Sequence, residues 1–207
     1  SSDGNADQGA GIWMLGGSAS ITDNETINAK AADFQAAAIN VEGCDTVSIS
    51  GNTTTDSHSG GTNVVGYVIA GGCSAAISGN SIAGIDGLSG SGVGIRISSA
   101  TAPIKGNTIT LQSVTDGSTI GIEVTGSSVT IGGSLPGDGN TINPGTASPT
   151  TGTATVIRVQ GGTGTETVTI QGNTLNGGSG GSSHGIFNQA STATITSGTS
   201  VPSDAAW

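Results

Sequence analysis

Apolar residues recur along this chain in short alternating bursts: GIWM, AINV, GYVI, GIRI, GIEV, VIRV and GIFN. Alternation of this kind places every second side chain on one face of a β-strand. A second signal punctuates the bursts, ISGN ending at Asn52 and Asn80, IKGN at Asn107, DGN at Asn140 and IQGN at Asn173. From one Asn to the next the steps are 28, 27, 33 and 33 residues, so the chain repeats with a period typical of stacked architectures. Seven such units fit the chain, over about residues 11–198. Each holds three short strands, too few residues to bury a core alone, so the core must come from stacking one unit on the next.

Stacking turns the alternation into columns. Ile12, Ile39, Tyr67, Ile95, Ile122, Ile157 and Ile186 form the first, followed two residues on by Met14, Val41, Ile69, Ile97, Val124 and Val159. A third runs Ile21, Ile49, Ile77, Ile104, Ile131, Ile170 and Ile195, and a fourth includes Ile82, Ile109, Ile142 and Leu175. Units spaced at about 4.8 Å hydrogen-bond as parallel strands around this aliphatic interior. The Asn column falls at a bend, where stacked amides bond to one another. The stretch TIGGSLPGDGNTIN, Thr130 to Asn143, is the same corner lengthened, with Gly and Pro supplying its turns.

The I-x-G-N-x-I recurrence and its IGGSLPGDGNTI variant resemble the repeats of right-handed parallel β-helix proteins, the pectate-lyase-like superfamily and large bacterial surface proteins. The resemblance implies an all-β, right-handed parallel β-helix of about seven three-strand coils in a single domain, 1–207. The last residues, 199–207, are a candidate C-terminal cap, with Trp207 folding back over the final coil. That fold carries lyases, hydrolases, adhesins and passive stalks alike, so it does not decide chemistry.

Composition sharpens the picture. Among 207 residues, 38 are Gly, 2% are aromatic and 9% charged, yet 33% are hydrophobic, which supplies apolar surface that a disordered chain lacks. A net charge of −10 repels nucleic-acid phosphates and anionic lipid surfaces, and no apolar run is long enough to insert in a membrane. The opening SSDGNADQGAG has neither an initiator Met nor an apolar leader, so the chain reads as part of a longer, processed protein.

Catalytic motifs are absent. The glycine-rich corner lacks the Lys-Ser/Thr of a phosphate loop, and GGSGG at Gly177 to Gly181 has no strand-to-helix elbow around it. The acidic, histidine and basic motifs of polysaccharide lyases and hydrolases are also missing. His58 and His184 fall in the variable connections as solvated loop residues. Asp56, Asp86 and Asp116 lie in those same connections and with Asp138 are candidates for a carboxylate patch, catalytic or calcium-binding. Asp3, Asn5 and Asp7 match the opening of a calcium loop, which makes calcium the candidate metal and leaves no other cofactor implied. Cys44 and Cys73, 29 residues and one coil apart, are a candidate disulfide in an oxidising compartment.

Two outward patterns remain. Between the first two columns lie Trp13, Asn40, Val68, Arg96, Glu123, Arg158 and Phe187, a candidate ligand face for a surface glycan or host protein. The centre of that stripe, Arg96, Glu123 and Arg158, also reads as a cross-strand ion ladder. Thr53/Thr55, Ser81/Ala83, Thr108/Thr110, Thr141/Asn143 and Thr174/Asn176 form two polar columns resembling an ice-binding face. The expected function is a non-catalytic extracellular or cell-surface segment of a bacterial protein, adhesive or stalk-like. The alternatives are a polysaccharide-active or carbohydrate-binding β-helix and an ice-binding solenoid.

Overall fold

The computed structural model describes residues 9–31, 35–60, 63–87, 90–161, 167–189 and 192–195. Among them the secondary structure is all β, and every strand pairs in parallel with its neighbours one turn away. Two sheets are seven strands deep. The first contains Gly9–Leu15, Gln35–Glu42, Asn63–Ala70, Ser91–Ser98, Thr119–Thr125, Thr153–Gln160 and Ser182–Asn188. The second contains Ser18–Thr22, Thr46–Ser50, Ser74–Ser78, Thr101–Lys105, Ser128–Gly132, Thr167–Gln171 and Thr192–Ile195. Seven strands are joined by six steps, so the chain winds through about six full turns of a parallel β-solenoid.

A third sheet of five strands runs from Thr53–Thr54 to Thr174–Leu175. The sequence pattern predicts no more than these three, but there is a fourth. Lys30–Ala31, Ser57–Ser59 and Ile85–Gly87 form a three-stranded sheet inside the connections expected to be loops. Strands of two or three residues are too short to show alternation, and they form here because the rungs above and below supply their hydrogen bonds.

The apolar columns fill the interior. Ile39, Tyr67, Ile95, Ile122 and Ile157 are buried, as are Ile49, Ile77, Ile104, Ile131 and Ile170, each fully buried Ile contributing about 1.5–3 kcal/mol relative to an exposed one. The column Ile27, Thr54, Ile82, Ile109, Ile142 and Leu175 closes the core from the third sheet. Space is tight there. A Cβ on Gly94 would lie 2.5 Å from both the Gly121 carbonyl oxygen and Ile109 Cγ2, so only glycine lets the sheets approach this closely.

Corners are set by left-handed residues. Asp23, Gly51, Gly79, Gly106 and Gly172 hold positive φ just before Asn24, Asn52, Asn80, Asn107 and Asn173, and Gly43, Gly71, Ser99, Gly126 and Gly161 do so between the first and second sheets. After the first of these corners the side chains of Asn24, Asn52, Asn80, Asn107, Asn140 and Asn173 stack as a ladder. Each backbone N–H donates to the next Oδ1, as Asn80 does to Asn107 at 3.0 Å, and each Nδ2 does the same, Asn107 to Asn140 at 2.9 Å. Further Nδ2 bonds run to carbonyls one turn back, such as Asn107 to Ile77 at 3.1 Å, so these buried amides are satisfied on all sides. Asn24 is a further rung that the repeat signal does not mark, because TDN replaces SGN there.

The Gly133–Asp138 stretch is an extruded corner. Asn140 keeps its place in the ladder, while Asp138 accepts from Gly106 N–H through its carbonyl and pairs with Lys105 Nζ at 3.0 Å. At the other corner Cys44 and Cys73 are joined as a disulfide across adjacent turns, their Cα atoms 4.7 Å apart and both side chains buried.

Candidate functional site

The stripe expected on the first sheet is one register column. Trp13 pairs with Asn40, Asn40 with Val68, Val68 with Arg96, Arg96 with Glu123, Glu123 with Arg158 and Arg158 with Phe187. Parallel in-register pairing stacks these side chains turn upon turn. Much of the column is covered, however. Asn40, Val68 and Glu123 are buried, while Trp13 at the first turn is 52% exposed. Beside Val68, the outer side chains of Ala37, Val65, Val93 and Ile120 form a second, small apolar cluster, so the sheet buries apolar surface on both faces.

At the centre, Glu123 is 3% exposed and clasped from both sides. Arg96 Nε donates to Oε2 at 2.6 Å, Arg158 donates to Oε1 through Nε at 3.1 Å and through Nη2, and Gln160 Nε2 adds a bond at 3.0 Å. Burial alone would push the Glu123 carboxyl up, but the guanidiniums of Arg96 and Arg158 outweigh it and hold it below its ordinary value. At the last turn His184 packs on Phe187 with ring centroids 4.9 Å apart. His184 is therefore a strand residue rather than a loop histidine, and its enclosed Nδ1 meets no hydrogen-bond partner.

The carboxylates do not gather. Asp56 pairs with Lys30 at 3.4 Å, Asp86 with His58 at 3.5 Å and Asp138 with Lys105, and Asp116 is exposed. Asp56, Asp86 and Asp116 stand 4, 6 and 9 residues after Asn52, Asn80 and Asn107, so they fall out of register on successive turns, and Asp86 pairs with His58 rather than Asp56, which dissolves the expected patch. Among the described residues no three His, Cys, Asp or Glu side chains come together to hold a metal ion. Asp3, Asn5 and Asp7, like the candidate cap at 199–207, lie outside the described residues.

The polar columns of the third sheet are in register, with Ser81 paired to Thr53 and Thr108, and Thr141 to Thr108 and Thr174. A broader hydroxyl face, missed in the sequence, covers the outside of the second sheet. Ser18, Thr46, Ser74, Thr101 and Ser128 follow one another in register, with Thr130, Thr169 and Thr194 beside them. The alternation of Ser/Thr with the inward Ile column was the signal that would have found it. A shallow depression on this face is lined by Thr101, Pro103, Ser128, Thr130, Thr167 and Thr169.

Fold and faces together define an all-β parallel solenoid with a charged, partly aromatic column on one sheet and a hydroxyl array on another. No protein-family model, curated protein or solved structure matches the chain. Among the described residues no helix is long and apolar enough to cross a membrane.

Proposed function

We propose that this chain is a non-catalytic segment of a secreted or cell-surface protein, a rigid rod that presents the outer column of its first sheet for adhesion to a surface glycan or protein. The observation that carries this reading is the unbroken register from Trp13 to Phe187, which gathers both arginines and two aromatics on one line. All four Lys and Arg side chains are engaged in ion pairs, so the basic side chain that a lyase would use to remove a proton is already held by a carboxylate. Rigid, prepaid geometry favours binding, because little side-chain freedom remains to be lost. Glycan and cell-surface binding by the intact chain and by an Arg96→Ala/Arg158→Ala variant tests it. Binding that falls at least about tenfold in a folded variant supports the reading; absence of any surface binding, or turnover of a polysaccharide, overturns it.

One observation favours a second reading, ice binding. The outer columns of the second sheet carry Thr46, Thr101, Thr130, Thr169 and Thr194, interrupted by Ala76 and Pro103, and the few rotamers of β-branched Thr leave the face ordered before contact. Thermal hysteresis of the pure protein, lost on Thr130→Lys, is the expected result; ordinary freezing behaviour removes this reading.

A further inference from the structure

Charge is spread unevenly over this rod. From Ser18–Thr22 to Thr167–Gln171, the outward positions of the second sheet hold one charged side chain, Lys105, and Asp138 pairs with it at 3.0 Å. The rest of that face is Ser, Thr, Ala, Pro, Gly and Gln, in a chain whose net charge is −10. Two copies of such a chain repel each other, and the repulsion is least where uncharged faces meet.

The middle outward column of this face also changes size along the rod. It runs Ser20, Ser48 and Ala76, then Pro103, then Thr130, Thr169 and Thr194. Side chains before Pro103 are short, and those after it are β-branched. Pro103 stands exposed on the fourth of seven strands, and the pairing to the previous turn is interrupted there, between Thr101 with Ser74 and Ile104 with Ile77. A proline inside a sheet forfeits a ladder bond. With exposed Ala76 beside it, its ring puts an apolar spot at the centre of a hydroxyl face.

We infer that this face packs on the same face of a second copy of the chain, about a two-fold axis parallel to the strands at the fourth turn, so that the two rods run antiparallel. The contact is isologous. It lays Pro103 on Pro103 of the copy, Ala76 on its Thr130, Ser48 on its Thr169 and Ser20 on its Thr194, a short side chain against a branched one at every step. Parallel rods would set Thr on Thr at one end and Ser on Ser at the other, crowding the first and leaving the second loose. A five-residue strand spans about 16 Å and six steps of about 4.8 Å add about 29 Å, which gives roughly 1,000 Å² over both copies. That is below the standard size for a stable complex, so the dimer is weak and reversible. The inference goes beyond the adhesive reading, because the first sheet stays outside the contact. It competes with the ice reading, because a face covered by a copy is closed to ice.

The test is sedimentation equilibrium of the intact chain. Monomer at about 1 μM should give way to dimer towards about 1 mM, and association should tighten as salt screens the like charges. Ser48→Asp and Thr169→Lys, each checked for an unchanged melting temperature, should separately weaken association at least about tenfold. Mixing the two should restore it, because the two-fold sets position 48 of one copy against position 169 of the other. Should Ser48→Asp fail to fold, Ala76→Asp mixed with Thr130→Lys makes the same test one turn nearer the axis. A chain that stays monomeric at about 1 mM in high salt overturns the contact. So does a dimer indifferent to these charges, or a pair of weakened variants that does not recover on mixing. Thermal hysteresis from a chain that never dimerises would overturn the contact and leave the ice reading standing. Dimerisation without surface adhesion would support the contact and remove the adhesive reading alone.

Discussion

Tyr67 and Thr54 exchange size across the core. Tyr67 stands in a column of isoleucines, in register with Ile39 and Ile95, and Thr54 stands where its neighbour in register is Ile82. The larger ring on the first sheet is accommodated by the smaller side chain on the third. Their hydroxyls face one another in the fully buried interior without closing a well-formed hydrogen bond. Thr54→Ile alone should overpack the site and cost about 1–3 kcal/mol. Tyr67→Ile alone leaves a void, and the double variant restores the isoleucine columns, so a double-mutant cycle in urea should give coupling above about 1 kcal/mol. Additive losses would refute the exchange.

The same phenol makes the rod sensitive to base. Burial pushes the Tyr67 pKa up to about 12 from an ordinary 10.0, with Thr54 pulling weakly the other way. The folded state then holds a proton that the unfolded chain has lost, so stability falls as pH rises from 10.0 towards about 12. Melting temperatures measured across that window should drop in the wild type, and the Tyr67→Phe variant should drop less.

Glu123 gives the opposite slope in acid. Its carboxyl is held below its ordinary value, so the ladder's stabilisation is present above 4.5 and is lost as pH falls through the depressed folded value. Glu123→Gln should cost about 3 kcal/mol at neutral pH, since it strands two partly buried guanidiniums. That deficit should shrink in acid. A difference between wild type and variant that is constant with pH would show that the ladder contributes no charge interaction.

Position along the Asn ladder should grade the cost of breaking it. Asn107→Ala removes a buried amide that accepts from Asn80 and donates to Ile77 and Asn140, leaving several groups unsatisfied, at about 3 kcal/mol or more. Asn24→Ala, at the half-buried first rung, should cost about 1 kcal/mol. Equal costs at the two positions would mean that the amides do not act as a ladder.

The disulfide closes a loop with a sequence separation of 29, which on chain-entropy grounds corresponds to about 3–4 kcal/mol. Reduction should lower the unfolding midpoint accordingly, and intact mass should reveal two alkylatable thiols only after reduction. Two thiols reactive in the native protein would remove the bond.

The repeat alone determined the solenoid, because each rung reads the same register as the last: one correct assignment of Ile49, Ile77 and Ile104 to the interior fixes the strands, the Asn corner and the stacking of Arg96, Glu123 and Arg158. Asn24 escaped only because its corner uses Asp23 where later turns use glycine, although an Asp can also adopt that left-handed backbone. Other features have no periodic signal to read. The fourth sheet consists of two- and three-residue strands, which their own sequence cannot stabilise and which exist through bonds to neighbouring turns. Asp56, Asp86 and Asp138 found separate cationic partners because each stands at a different place relative to its ladder Asn, four and six residues after Asn52 and Asn80 and two before Asn140, so the repeat does not stack them. The column from Trp13 to Phe187 was visible as a line, but its burial was not. Only the packed structure puts Asn40, Val68 and Glu123 out of solvent while leaving Arg96 and Arg158 partly open, since exposure depends on what neighbouring turns place over a side chain and not on the face from which it departs.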